Sequence, residues 1–276
     1  MDYQRQFRLV ALERGVPENE VGEFAELLRF GIWTNPTYGG DLVGQQGGVP
    51  RLPVGMEWPS SDLGPLPFVA SYDCAALPRV DGLSLPVDGS LLFFLHHRNA
   101  QEVHLDCGEE AENIAREQQY ARAVYVPGGT ETVTPEIPEY GDYKGDTGDP
   151  FAEEEVKLFA AVIPVLPWSE YWPDVSDSEE YVDCALPHKE ELCALVEELW
   201  PEPRGGSFVT IGGYTRDNGY PYGTPEERME VDRREWTPLA QFSRGREIYA
   251  GRFLIRNDHL TARRFGKALS FTVFTE

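Results

Sequence analysis

From Gly44 to Pro67 the chain is dense in glycine and proline: Gly44-Gln45-Gln46-Gly47-Gly48-Val49-Pro50-Arg51-Leu52-Pro53, then Met56-Glu57-Trp58-Pro59 and Pro65-Leu66-Pro67. Each proline removes a backbone donor and clashes with a preceding helical turn, so no helix runs through this segment. The Gly47-Gly48 pair permits dihedrals closed to other residues. Yet Val49, Leu52, Val54, Met56 and Trp58 are large apolar groups, so the segment is expected to be ordered and packed against something. Helices have to lie elsewhere.

At the N-terminus Phe7, Val10, Ala11 and Arg14 share helical spacing, and Gly15-Val16-Pro17 ends the turn. A second helix is expected over 18–30, with Val21, Phe24, Ala25, Leu27 and Leu28 as its apolar stripe. A short charged helix is expected over 109–119 and an amphipathic one over 187–200. Thr224-Pro225 supplies an N-cap and a first-turn proline for a helix over 224–236. Strands are expected at 67–72, 90–97, 102–107, 122–127, 156–165, 207–214, 239–242, 249–255 and 268–274. The run Ser90-Leu91-Leu92-Phe93-Phe94-Leu95 has no polar alternation, which implies a strand buried on both faces.

A weak internal echo joins the two ends of the chain. Pro65-Leu66-Pro67-Phe68-Val69-Ala70-Ser71 precedes Leu91-Leu92-Phe93-Phe94, and Thr237-Pro238-Leu239-Ala240-Gln241-Phe242-Ser243 precedes Gly251-Arg252-Phe253-Leu254-Ile255. Upstream of each lie a glycine pair and a tryptophan, Gly47-Gly48 with Trp58 and Gly212-Gly213 with Trp236. The expected fold is α+β: a largely antiparallel sheet with covering helices, in one domain over 1–276. Within it, pseudo-repeated halves at about 40–130 and 156–276 flank an acidic insertion at 131–155.

Charge narrows the function. The 276 residues hold 47 acids against 24 bases, a net −23, while 41% are apolar. That apolar content excludes a disordered chain, and the acidic excess argues against non-specific nucleic-acid binding. The acids cluster: nine with one lysine in 131–155, and six with no base in 169–183. Residues 244–267 run the other way, with seven bases and two acids. No secretion signal and no membrane-spanning run is visible, and the four cysteines (Cys74, Cys107, Cys184, Cys193) are read as reduced thiols. The expectation is a cytoplasmic, soluble protein.

The order Gly47-Gly48-Val49-Pro50-Arg51-Leu52-Pro53, Glu57-Trp58-Pro59, Leu66-Pro67-Phe68-Val69-Ala70, Leu77-Pro78 and Gly89-Ser90-Leu91-Leu92-Phe93-Phe94 resembles the YwqG-like family of bacterial proteins. Ile211-Gly212-Gly213-Tyr214 and Leu239-Ala240-Gln241-Phe242 resemble the family's second half. The family's strand glutamine falls at Ser71, whereas Gln241 keeps it, and 131–155 has no family counterpart. The family is of unknown function, so the resemblance implies an architecture and no reaction. Some members lie among toxin–immunity genes, which implies an immunity-like binding role.

The residues offer little catalytic chemistry. His97, His104 and Cys107 are the weak metal candidates, but His96 and His97 point to opposite strand faces and no Cys-x-x-Cys exists. Asp142, Asp146 and Asp149 sit in a glycine-rich loop without EF-hand spacing, which reads as a solvated acidic loop. No nucleophile motif, phosphate loop or dinucleotide fingerprint occurs, so no catalytic residue and no cofactor is assigned. The leading expectation is a non-enzymatic binding protein that meets a basic protein partner through Asp142, Asp146, Asp149, Glu153, Glu154, Asp177, Glu179 and Glu180. The alternative is a small-molecule-binding or hydrolytic protein with a cleft between the halves, lined by Trp58, Trp236, Tyr214, Gln241 and Arg252.

Overall fold

The computed structural model describes residues 2–37, 39–96, 114, 117–139, 154–167, 186–201, 203, 209–215, 226, 229, 231–243 and 249–274. Helix α1 (Tyr3–Glu13) starts where the Asp2 carboxylate accepts from the Arg5 N–H at 2.8 Å. Helix α2 (Glu18–Leu27) follows Pro17, and Phe7 of α1 stacks on its Phe24 with ring centroids 5.4 Å apart. Helix α3 (Lys189–Leu199) turns Leu192, Leu195 and Val196 inward, as its amphipathic spacing requires. An Arg14–Glu198 ion pair at 2.6 Å ties α3 to the end of α1.

The second helix ends earlier than its apolar stripe suggests. Leu28 is extended, and Arg29–Asn35 forms strand β1. Phe30-Gly31-Ile32-Trp33-Thr34 is aromatic and β-branched, and pairing on both sides overrides the helical spacing of Leu27 and Leu28. The expected helix over 224–236 is cut short in the same way. Asp232 caps a 3₁₀ turn, Arg233–Glu235, and strand β12 (Trp236–Ser243) follows at once.

Among the described residues ten strands make one sheet, in the order β14-β13-β12-β11-β1-β10-β2-β6-β7-β8. They are β1, β2 (Leu42–Gln46), β6 (Phe68–Asp73), β7 (Ser90–Leu95), β8 (Ala121–Val126), β10 (Val156–Val165), β11 (Val209–Gly212), β12 (Trp236–Ser243), β13 (Tyr249–Arg256) and β14 (Leu269–Phe274). All of these pairings are antiparallel. Two pairs of short strands stand apart, β3 (Leu52–Pro53) with β9 (Thr132–Val133) and β4 (Ser60–Ser61) with β5 (Gly64–Pro65). Part of the stretch expected as an insertion is therefore paired to the glycine- and proline-rich segment.

The sheet curls into a nearly closed barrel, with Phe93 of β7 reaching Phe253 of β13 at 5.1 Å and Phe242 of β12 at 5.8 Å. Among the described residues the edge strands β8 and β14 do not pair. Instead Gln118, on the 3₁₀ turn Gln118–Tyr120 leading into β8, stands in for a strand partner of β14. Its carboxamide accepts from the Ser270 N–H at 2.7 Å and donates to the Ser270 carbonyl at 3.1 Å.

Alternation along the strands sorts side chains to two faces. Leu91, Phe93 and Leu95 join the main core with Phe30, Ile32 and the helices, while Leu92 and Phe94 pack on the other face with Trp58. The run 90–95 is thus buried on both faces, as its composition implies. Two further clusters lie outside the main core, one around Trp236, Leu254 and Phe271, the other around Trp33, Ile163 and Val165.

The strand order has an inner regularity. From each edge, three strands consecutive in the sheet (β8-β7-β6, β14-β13-β12) lead to one that ends at a glycine pair (β2, β11). The two central strands exchange partners, β1 lying beside β11 and β10 beside β2.

Candidate functional site

A cleft of about 390 Å³ opens where α1, α2, the start of β1, the end of β11 and the start of β12 converge. Its lining includes Gln4, Glu26, Arg29, Asp81, Gly212, Gly213, Arg234, Trp236, Thr237 and Asn257. Gly212 and Gly213 adopt φ of 77° and 75°, a region that disfavours any side chain. A Cβ on Gly213 would sit 2.8 Å from Val165 Cγ2, and one on Gly212 would sit 3.0 Å from Leu83 Cδ2. Glycine here lets the backbone come close to both neighbours and keeps the wall low.

Arg29 is the organising side chain. Its guanidinium lies 4.1 Å from the ring centroid of Tyr214, and its Nη1 donates a long bond, 3.4 Å, to the Gly213 carbonyl. Among the described residues no carboxylate lies within 4 Å of it. Tyr214 is itself fixed, because its hydroxyl donates to the Leu27 carbonyl at 2.9 Å and its own carbonyl accepts from Gln241 Nε2 at 3.1 Å. Burial pushes the Tyr214 phenol above its usual range, with Arg29 opposing, so the ring stays neutral beneath the cation.

The second arginine differs. Arg234 is 85% exposed and paired with Asp232, Nε to Oδ2 at 3.1 Å and Nη2 to Oδ2 at 2.9 Å. That guanidinium holds the Asp232 carboxyl below its usual range. Asn257, which begins helix α4 (Asn257–Thr261), accepts from Thr237 Oγ1 at 2.6 Å and donates to the Arg234 carbonyl at 2.8 Å. On the opposite side Gln4 Nε2 donates to the Ala25 and Leu28 carbonyls at 3.2 and 3.0 Å, which satisfies the end of α2. The walls are thus held by their own hydrogen bonds, and Arg29, which lines the cleft, spends one of its five donors on the Gly213 carbonyl among the described residues.

The residues expected of a cleft divide. Trp236 lines it, Tyr214 lies under the Arg29 guanidinium, and Gln241 holds the Tyr214 backbone carbonyl. Arg252 is Gln241's cross-strand partner but is 1% exposed and forms no part of the lining. Trp58 lies in the cluster on β6 and β7, its Nε1 donating to the Leu66 carbonyl at 2.8 Å and its ring 5.7 Å from Phe94. Arg29 was not among the expected residues. Its signal in the sequence is an arginine closing an apolar stripe in a strongly acidic chain, and reading that stripe as helix to Phe30 hides it.

Of the acidic set, Glu154 is exposed just before β10, while Asp142, Asp146, Asp149, Glu153, Asp177, Glu179 and Glu180 lie outside the described residues. So do His97, His104 and Cys107, and no group of three or more His, Cys, Asp or Glu gathers for a metal among the described residues. Cys74 is buried, and burial with Asp73 pushes its thiol up to about 12, so it is a poor nucleophile at neutral pH. No helix among the described residues is long and apolar enough to cross a membrane.

No curated protein matches the chain. A family model described as a domain of unknown function, DUF1963, matches residues 45–272. The match takes in Asp81, Gly212, Gly213, Arg234 and Trp236, while Arg29 lies before it. With most of its length covered, the chain belongs to this uncharacterised domain family, DUF1963.

Proposed function

We propose that the chain is a binding protein whose cleft holds a small ligand through an anionic group, with Arg29 as the contact. One observation carries this reading: a half-buried arginine in a protein of net charge −23 lines a cleft, lies over a tyrosine ring and forms no ion pair among the described residues, Asp232 acting on it only from beyond 4 Å. A planar guanidinium stacked on an aromatic ring keeps its outer edge open for a carboxylate fork. Hexanoate, a plain monocarboxylate, is expected to bind saturably, and Arg29→Met to weaken it by about tenfold, the worth of one charge-assisted hydrogen bond. Equal binding by the variant would sink the reading.

A second reading, a basic protein partner meeting the acidic surface, is favoured by the net charge and by the exposure of Glu131, Glu136, Glu139 and Glu154. It fits the YwqG-like, immunity-like role and a cytoplasmic setting. A duplicated architecture is supported by the matched strand order and by the two glycine pairs of positive φ, at 47–48 and 212–213. It gains further support from Trp58 and Trp236, each packed in a small cluster away from the main core.

A further inference from the structure

The cleft reading above rests on Arg29; the rest of the lining says what else the ligand carries. Arg234 is neutralised by Asp232. Glu26 and Asp81 also line the cleft, both exposed, and neither forms an ion pair among the described residues. Among the described residues the lining therefore offers one cation outside any ion pair, Arg29, with Asp232 acting on it only at longer range, and two such anions. A phosphate or dicarboxylate would place two or more negative charges against a single open guanidinium and beside two carboxylates, which like-charge repulsion disfavours. The complementary ligand has one carboxylate and two cationic groups. A cleft of about 390 Å³ is at the small end for ligand sites, which suits a molecule of amino-acid size.

We infer that the cleft takes a free basic α-amino acid. Arg29 receives the carboxylate, and Glu26 and Asp81 attract the ammonium groups. The half-buried guanidinium, fixed on Tyr214, supplies most of the hold, and the two rim acids select among carboxylates.

Calorimetric titration with four matched probes tests this: L-lysine, norleucine (lysine without its side-chain ammonium), cadaverine (lysine without its carboxylate) and hexanoate (lysine without either ammonium). Lysine is expected to bind at one site per chain, with norleucine and cadaverine each weaker by about tenfold or more. Arg29→Met should abolish the preference for lysine over cadaverine. Arg29→Lys, which keeps the charge and loses the fork, should lower it without unfolding the chain. Glu26→Gln with Asp81→Asn should abolish the preference for lysine over norleucine, at an unchanged melting temperature. Cadaverine equal to lysine would mean attraction to the acidic surface alone and overturn the inference. Norleucine or hexanoate equal to lysine, still dependent on Arg29, would overturn it and leave the anion-binding cleft standing. No binding by any of the four would remove both.

Discussion

Tyr214 illustrates how one side chain serves both the fold and the site. Its ring supports Arg29, and its hydroxyl holds the end of α2 through the Leu27 carbonyl. These roles separate by mutation. Tyr214→Phe keeps the ring and loses one hydrogen bond, so stability should fall by about 1 kcal/mol with hexanoate affinity nearly unchanged. Tyr214→Ala removes the platform, and affinity should drop as far as in Arg29→Met. Urea denaturation beside hexanoate titration separates the two, and a Tyr214→Ala protein that binds normally would refute the stacking role. Tyr214, Gln241 and Trp236 can be named from the sequence alone, as residues that would line a cleft of aromatics beside an arginine. Arg29 is not, since its meaning depends on Tyr214, 185 positions away along the chain.

At the scale of elements, α2 and α3 are joined through Glu20 and His188. The nearly buried Glu20 carboxylate accepts from the His188 backbone N–H and lies within hydrogen-bond distance of its ring Nδ1, each at 3.0 Å. The backbone bond first, then the ring, hold the Glu20 carboxyl below its usual range despite some opposing desolvation. A carboxyl with a lowered pKa in the folded state contributes stability that is complete above its unfolded pKa and is lost as pH falls through the folded value. Wild type should therefore exceed Glu20→Gln in urea midpoint at neutral pH, and the gap should close as pH drops through the carboxylate range. A gap that does not change with pH would show that the charge of Glu20 has no part in the junction. Most elements follow from period and turn signals: β10 falls at 156–165 and α3 within 187–200, as expected. Strands β1 and β2 are not expected at all and β12 starts earlier than expected; in each, strand pairing decides against local spacing. Such pairing joins distant segments, so none is visible in a window of one sequence. The Gln118 clamp escapes for the same reason, because it joins residues 152 positions apart.

For the whole molecule, the antiparallel α+β class is readable from alternation and turns, whereas the curl of the sheet and the exchange of β1 and β10 depend on three-dimensional packing. The glycine pairs of positive φ at 47–48 and 212–213 have different surroundings. A Cβ on Gly48 would meet Glu155 Cβ at 2.7 Å, and one on Gly213 would meet Val165 Cγ2 at 2.8 Å, so an acid packs on the first pair and an apolar group on the second, which lines the cleft with Arg29. The acidic surface is a separate matter. Replacing Glu131, Glu136, Glu139 and Glu154 by lysine should slow association with a basic protein partner and flatten its salt dependence, measured by stopped flow; an unchanged on-rate would remove that surface from the account.

The most direct test of the cleft uses Trp236, one of six tryptophans, whose indole Nε1 is buried and makes no hydrogen bond among the described residues. Its indole resonance in a ¹⁵N-labelled protein reports on the cleft wall. Titration with hexanoate should shift the Trp236 signal saturably in wild type, leave the Trp58 signal in place, and shift nothing in Arg29→Met. A Trp236 signal that stays fixed in wild type, or moves equally in Arg29→Met, would contradict the claim that Arg29 and this cleft form the binding site.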